Sequence, residues 1–441
     1  MNAVPVPSHD FMELHPVHQH QPHCKQQCFV FTDIADIELP PEITKYSEKM
    51  KNGSIQSYKK ENIAAIEPQS TKSRKIAIAV GILLICLALA GGIPLALQLR
   101  SSSLLEARIA FIRRLLKESP LVEGYWKPQI TSNLTKSFAE LKTNNIGAVF
   151  WPIPVPCGAQ YLDAVQLALE GIDEAQRSTS KSTSMVIVES ADEMETAHLR
   201  GETAVVLGLS GGHALGASLA VLRSMHLLGI RFVSLASLGC TTPWVAAAYK
   251  QEHVVEENYT NSLTDFGVTV LHEMSRLGML VEISQLSEPA MTTALRAAKA
   301  PVLISNAAPA SMCNGSNIAS IPDHILSLLP QNGGVLMLNM EKCGDRLLSV
   351  REAINGINYV RALAGVDHVG LSGSPGSYLY LLAELARDRL WGNAAIKKLV
   401  GGNIVRVLRE VEVQKNRLPL NEEWIPRELI EGNSYCRYPE I

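Results

Sequence analysis

Apolar residues fall into three regimes along this chain. The segment Ile76 to Leu99, IAIAVGILLICLALAGGIPLALQL, carries no charge and is long enough to cross about 30 Å of hydrocarbon as a helix. Residues 1–75 before it are polar and rich in Pro, Gln, Lys and Ser without sustained periodicity. Such a segment cannot bury enough surface to offset chain entropy, which predicts a disordered tail. After the span, Leu105, Ile109, Ile112, Leu115 and Leu116 recur at helical spacing and predict a stalk helix within 100–119, packed on the domain C-terminal to it. From 120 to 441 the pattern changes to short apolar runs alternating with helical stretches. The runs are Leu121 to Val122, Ala148 to Trp151, Ala204 to Leu209, Arg231 to Leu235, Met279 to Ile283, Val302 to Ile304, Gly334 to Leu338 and His368 to Leu371; amphipathic stretches such as Tyr161 to Arg177 and Ala214 to Leu228 lie between them. Eight such units predict an α/β fold, better matched by a (β/α)8 barrel than by a doubly wound sheet, though periodicity alone leaves the second open.

Charge then orients the chain. Lys45, Lys49, Lys51, Lys59, Lys60, Lys72, Arg74 and Lys75 precede the span, and the positive-inside tendency puts that side in the cytosol. The span begins too far from the N-terminus for a cleaved signal peptide. A single-pass type II protein of the plasma membrane or secretory pathway is expected, with 120–441 extracellular or lumenal. Arg100, Arg108, Arg113, Arg114 and Lys117 on the far side weigh against this, but most can sit on an amphipathic stalk. A net charge of −3 over 441 residues argues against nucleic acid as the main partner.

The cysteines and sequons fit that topology. Cys24 and Cys28 lie in the tail and Cys86 in the span, leaving Cys157, Cys240, Cys313, Cys343 and Cys436 outside. An odd external count permits two internal bridges and one thiol free for an intermolecular bridge. Asn133-Leu-Thr135, Asn258-Tyr-Thr260 and Asn314-Gly-Ser316 are glycosylation acceptors on the same side.

Single residues mostly carry structural readings. His15, His18, His20, His23 and Cys24 could hold a metal in principle, but no second cluster completes a coordination sphere, and a solvated low-complexity segment explains them. Gly208-Leu209-Ser210-Gly211-Gly212 satisfies the pattern of a serine nucleophile turn, with His213 nearby. No acid and histidine partners stand out for it, and a barrel loop accounts equally well for the glycines. Trp244 reads as a packing residue; His226, His272 and His324 sit in helical stretches and His368 opens a strand.

Several segments together resemble the membrane (renal-type) dipeptidase family: PLVEG, FWPIPVPCGAQYLDAV, GLSGGHALGASLAVLRSMHLLGIRFVSLASLGCTTPW, LTDFGVTVLHEMSRLGMLVEISQLS, AKAPVLISNAA and DHVGLSGSPGS, collinear from about 105 to 436. That resemblance implies a (β/α)8 barrel with two zinc ions at the C-terminal mouth of its strands. Carried over position by position, however, the ligands are replaced. The His-x-Asp pair falls on Tyr125 and Lys127, the bridging Glu on Ser210, two strand-end histidines on Gln285 and Asn306, and the late Asp on Ser374. The substrate-facing histidine falls on Leu238. Hydroxyl and carboxamide groups are poor zinc donors, so no cofactor is expected and hydrolysis by a metal-bound water is not. Glu123 and Glu282 stay acidic where the family has acids that are not ligands. The resemblance also implies bridges Cys157–Cys240 and Cys313–Cys343, and an interchain bridge at Cys436. With no hydrophobic C-terminal tail, the N-terminal span would take the place of a lipid anchor. The reading is a catalytically inactive dipeptidase-like ectodomain acting as a binding partner, in a homodimer or with an active dipeptidase. The alternative is a hydrolase with residual or altered chemistry, zinc-dependent or serine-based.

Overall fold

The protein is described here by a computed structural model covering residues 70–128, 134–237, 239–248, 260–313 and 319–417, without the side chains of 70–75, 77, 87–103, 135 and 416. The chain divides after Ile76, and of the residues before that point only the start of one helix, from Ser70, is described. The predicted tail up to residue 69, Leu238, Asn133, Asn258, Asn314 and Cys436 lie outside the described residues.

One helix, α1 (Ser70–Glu118), takes in both the expected span and the expected stalk. It begins inside the segment read as tail, so residues 70–75 are helical rather than disordered. Among the described residues no helix is long and apolar enough to cross a membrane, and the second half of the expected span lies where side chains are not described. The stalk packs as its spacing predicts. Ile112, Leu115 and Leu116 are buried, Arg108 Nη2 bonds Glu384 Oε1 at 2.7 Å, and Lys397 Nζ reaches Glu118 Oε2 at 2.6 Å.

Beyond Pro120 the chain alternates strand and helix. The strands are β1 (Leu121–Glu123), β2 (Ile146–Pro154), β3 (Thr203–Ser210), β4 (Ile230–Ser234), β5 (Leu280–Glu282), β6 (Val302–Pro309), β7 (Val335–Asn339) and β8 (Val369–Ser372). All eight runs predicted from sequence are strands. They pair in parallel in that order, and the two ends of the path meet where Gly124 N donates to Leu371 O at 3.0 Å. This is the (β/α)8 architecture, and a doubly wound sheet is excluded. Met185–Ile187 and Ala319–Ile321 are short additions pairing on β3 and β6.

Crossover helices α2 (Leu134–Thr143), α3 (Ala164–Ser180), α4 (Ala191–Leu199), α5 (Leu219–Leu227), α6 (Asp265–Leu277), α7 (Glu288–Ala297) and α8 (Val350–Ala364) lie between the strands, with α9 (Tyr378–Leu385) and α10 (Asn403–Arg417) after β8. Serine and threonine start several of them. Ser190, Ser218, Thr264, Ser287 and Ser349 each accept from a backbone N–H of the first turn, satisfying donors that a helix start otherwise leaves open. The cap at Ser218 explains why α5 begins later than the stretch Ala214 to Leu228 suggested: Gly212–Leu215 is a separate short 3-10 turn ending on left-handed Gly216.

Alternating strand residues fill two layers. Val122, Ala148, Phe150, Ala204, Val206, Phe232, Leu280, Leu303, Val335 and Met337 make one apolar cluster within the barrel. Large residues sit over glycines there. A Cβ on Gly208 would lie 2.3 Å from the Phe232 ring, and one on Gly370 would lie 2.3 Å from Met337 Sδ. The barrel is therefore packed solid below its mouth, and chemistry is confined to the strand ends.

Candidate functional site at the barrel mouth

Parallel strands deliver their C-terminal residues to one end, so the mouth can be read strand by strand. At the end of β1, Glu123 is 1% exposed. Its Oε1 accepts from Tyr125 N (3.1 Å), Ser372 Oγ (3.0 Å) and Gly373 N (2.9 Å), and Oε2 accepts from Tyr378 Oη (2.7 Å). These donors come from the ends of β1 and β8 and from α9, so the carboxyl group clasps the seam where the barrel closes. Burial pushes its pKa up against the pull of those hydrogen bonds, and burial beside Glu123 raises that of Tyr378 well above the usual phenol. At the end of β5, Glu282 Oε1 likewise accepts backbone hydrogen bonds, from Ser284 N at 2.9 Å and Ser305 N at 3.0 Å. Two buried carboxylates thus lie at the mouth among the described residues, each tied to backbone of the neighbouring strand.

The six positions where the resemblance would put metal ligands differ widely in surroundings. Tyr125, two residues past Glu123, is half-buried, and its phenol pKa is raised by burial and then by the Glu282 charge. Lys127 is exposed to solvent. Ser210 is the last residue of β3. Gln285 lies just past β5, with a buried Oε1 that has no hydrogen-bond partner. Asn306 on β6 adopts a left-handed backbone, φ 47°, and its Oδ1 accepts from Asn339 Nδ2 at 2.6 Å. Ser374 accepts from Ser377 Oγ at 2.9 Å, and its N–H donates to Tyr378 Oη at 3.3 Å.

The donor set does not fit zinc. A phenol, an exposed ammonium, two hydroxyls and two carboxamides replace imidazoles and carboxylates, and the Asn306 oxygen is already engaged by Asn339. Among the described residues no group of three or more His, Cys, Asp or Glu side chains could hold a metal ion.

A serine nucleophile fares no better. Ser210 is not among the residues with left-handed backbone, so it lacks the strained turn of a nucleophile elbow. The glycines after it serve the barrel: Gly211 N and Gly212 N donate to Ser234 O and Leu235 O, and a Cβ on Gly211 (φ 105°) would lie 2.4 Å from His213. His213 is buried, and its Nε2 lies 3.1 Å from Val155 O; burial lowers its pKa.

The other singled-out residues have structural partners. Trp244 packs edge-on to Phe266, 5.7 Å between centroids. His272 Nε2 and His368 Nδ1 lie within hydrogen-bond distance of Ala297 O and Gly334 O. The bridges Cys157–Cys240 and Cys313–Cys343 are both present. Sequence reasoning missed Tyr378 and Asn339, which complete the Glu123 clasp and the Asn306 pair. Asn339 ends its strand much as Asn306 comes late in its own, which is a usable signal, whereas Tyr378 lies on a helix and has none.

Comparison with known proteins then becomes informative. A family model described as membrane dipeptidase, peptidase family M19, matches residues 109–422. Dipeptidase 3 of Rattus norvegicus is 36% identical over 295 residues, covering 63% of this chain and 58% of its own length. Dipeptidase 3 of Homo sapiens is 31% identical over 332 residues, covering 68% and 66%. The chain therefore spans less than two thirds of the length of these relatives. Among solved structures, a metallopeptidase from Rhodobacter sphaeroides liganded with a phosphinate mimic of L-Ala-D-Ala shares the fold with TM-score 0.55 at 17% identity, covering 67% of this chain and 99% of that one. An amidohydrolase from Pseudomonas aeruginosa does so with TM-score 0.56 at 16% identity, covering 68% and 98%.

Proposed function

This chain belongs to the membrane dipeptidase family, and we propose that it is a member that binds without hydrolysing, a membrane-held ectodomain whose barrel recognises a ligand or a partner subunit. One observation carries this reading: the strand ends that would hold zinc present Tyr125, Lys127, Ser210, Gln285, Asn306 and Ser374, and the two buried carboxylates there, Glu123 and Glu282, are committed to backbone N–H groups. Without a metal-bound water of lowered pKa, no group at the mouth supplies the nucleophile that peptide hydrolysis needs. The replacements are also mutually consistent, because keeping several ligand carboxylates without their cations would crowd like charges in a desolvated site.

The membrane and assembly parts of the proposal rest on other features. Ile78, Val80, Ile82, Leu83, Leu84 and Ile85 of α1 are all exposed, an apolar surface of the kind that lipid covers. Cys436 is the odd external cysteine beside two internal bridges and would link two copies, or this chain to an active dipeptidase. Asn133, Asn258 and Asn314 would carry sugar.

The decisive experiment is elemental analysis of the purified full-length protein together with a dipeptide hydrolysis assay. We expect substoichiometric zinc and no turnover above background. Stoichiometric zinc with zinc-dependent hydrolysis would overturn the reading.

A further inference from the structure

The direction in which α1 leaves the barrel decides what the mouth faces. Its last turn lies at the end opposite the mouth. Glu118 reaches Lys397, the adjacent Lys398 pairs with Asp367 just before β8, and Pro120 leads into the first residue of β1. Farther back along α1, Arg108 meets Glu384. Glu384 lies between Tyr378, whose hydroxyl reaches Glu123 at the mouth, and Leu390, whose carbonyl accepts from Arg361 in the last turn of α8. α1 thus runs antiparallel to the strands, and followed backwards it climbs toward the mouth.

Two lengths locate the point where it clears the rim. Burial falls along the helix: Leu116, Leu115 and Ile112 are buried, Ile109 and Leu105 are partly buried against the core, and Leu104 is 52% exposed. From Glu118 back to Leu105 the helix rises about 20 Å at 1.5 Å per residue. The longest barrel strand, β2, has 9 residues. It extends about 26 Å along its own direction, or about 21 Å along the barrel axis at a tilt near 36°. α1 therefore leaves the barrel surface at about the height of the strand ends. Leu99, which ends the uncharged segment, follows on the same unbroken helix, about 9 Å beyond Leu105. Ile82, Leu83, Leu84 and Ile85 are all exposed. Four successive positions sweep most of a turn, so no side of the helix is packed on the described residues there.

We infer that the barrel mouth faces the bilayer that holds this segment, with its rim against the lipid headgroups, so that whatever enters the mouth arrives along the membrane surface. The inference rests on the membrane reading of Ile76 to Leu99 proposed above and adds the orientation to it. An anchor joined to the far end of the barrel would turn the mouth toward bulk solvent, whereas a helix that leaves on the mouth side brings the rim to the interface. A tilt of roughly 20°, usual for a spanning helix, is too small to exchange the two ends. The far end is closed by α4 and α10, whose Met194, Ala197, Val407 and Val411 join the interior cluster, and that closed end is the one presented to solvent.

A donor fluorophore attached through a non-natural residue at position 347 or at position 199 reads the orientation. Leu347 is exposed on the hairpin of Lys342–Cys343 and Arg346–Leu347 that follows β7 at the mouth, and Leu199 is exposed at the end of α4, just before β3 begins. The full-length protein is reconstituted in phosphatidylcholine nanodiscs whose headgroups carry the acceptor. The donor at 347 is expected to lose most of its emission to the acceptor and the donor at 199 to lose little. Equal loss, or greater loss at 199, in particles that keep the protein after detergent removal would overturn the orientation and leave the membrane reading intact. Protein that does not stay with the lipid would overturn the membrane reading and this inference with it. Should a label at 347 prevent folding, position 162 replaces it, since Leu162 is exposed on the loop that follows β2 at the same end.

Discussion

Replacing Tyr378 with phenylalanine tests whether the acids at the mouth are structural. Both members of the pair are buried, Tyr378 at 0% and Glu123 at 1% exposure, and their hydrogen bond is 2.7 Å long. Phenylalanine keeps the ring among its apolar neighbours and removes only the hydroxyl. Glu123 Oε2 then loses its donor in a place water does not reach, which costs about 1 to 3 kcal/mol for a buried group left unsatisfied. Ser374 N loses a weaker contact at 3.3 Å, so a total of about 2 kcal/mol is expected. In a barrel of this size that lowers the melting temperature by roughly 4 °C. Differential scanning calorimetry of wild type, Tyr378→Phe, Glu123→Gln and the double variant closes a cycle. The double variant should lose less than the sum of the single ones, because either change already breaks the pair. Strictly additive effects, or a Tyr378→Phe melting temperature indistinguishable from wild type, would refute the clasp.

The same structure sets other outcomes. Burial, then Arg231, Lys415 and Arg276, lower the His226 pKa from 6.5 to about 4. The folded state therefore resists a proton that the unfolded chain accepts, and stability should fall as pH drops from 6.5 to about 4. Solvent screening of this half-buried group brings the loss to on the order of 1 to 2 kcal/mol, and His226→Gln should flatten that slope in pH-dependent denaturant titrations. Restoring a single ligand, Ser210→Glu, should yield no zinc-dependent hydrolysis, whereas Tyr125→His, Lys127→Asp, Ser210→Glu, Gln285→His, Asn306→His and Ser374→Asp together should restore metal uptake by elemental analysis. Hydrolysis from the single change would contradict the account of the mouth. Reduction of the bridges should destabilise the barrel, with Cys157–Cys240 counting for more because it closes the longer loop, 83 residues against 30, about 4.5 against about 3.6 kcal/mol on chain entropy alone. Cys436→Ser should convert a dimer on non-reducing gels to monomer without unfolding the barrel, and a wild-type protein running only as monomer would remove that bridge.

The barrel was legible because its buried strands and its helices obey different periods. Val205 and Leu207 of β3 face the helices while Ala204 and Val206 fill the interior, so the strand appears in sequence as an unbroken apolar run, as the other barrel strands do. The start of α5 was not legible, since it depends on the Ser218 cap and on left-handed Gly216, which interrupt a pattern that apolar spacing alone continues. At the mouth, Tyr125, Ser210, Gln285, Asn306 and Ser374 came together as a set only through the family resemblance, since neither periodicity nor spacing singles them out. What those positions do now depends on partners far away in sequence. Asn306 is held by Asn339, 33 residues on, and Glu123 by Tyr378, 255 residues on, and no local pattern announces either pair. The Glu123 and Glu282 carboxylates accept from donors on neighbouring strands, so the strand ends are held by pairs that only the closed barrel brings together.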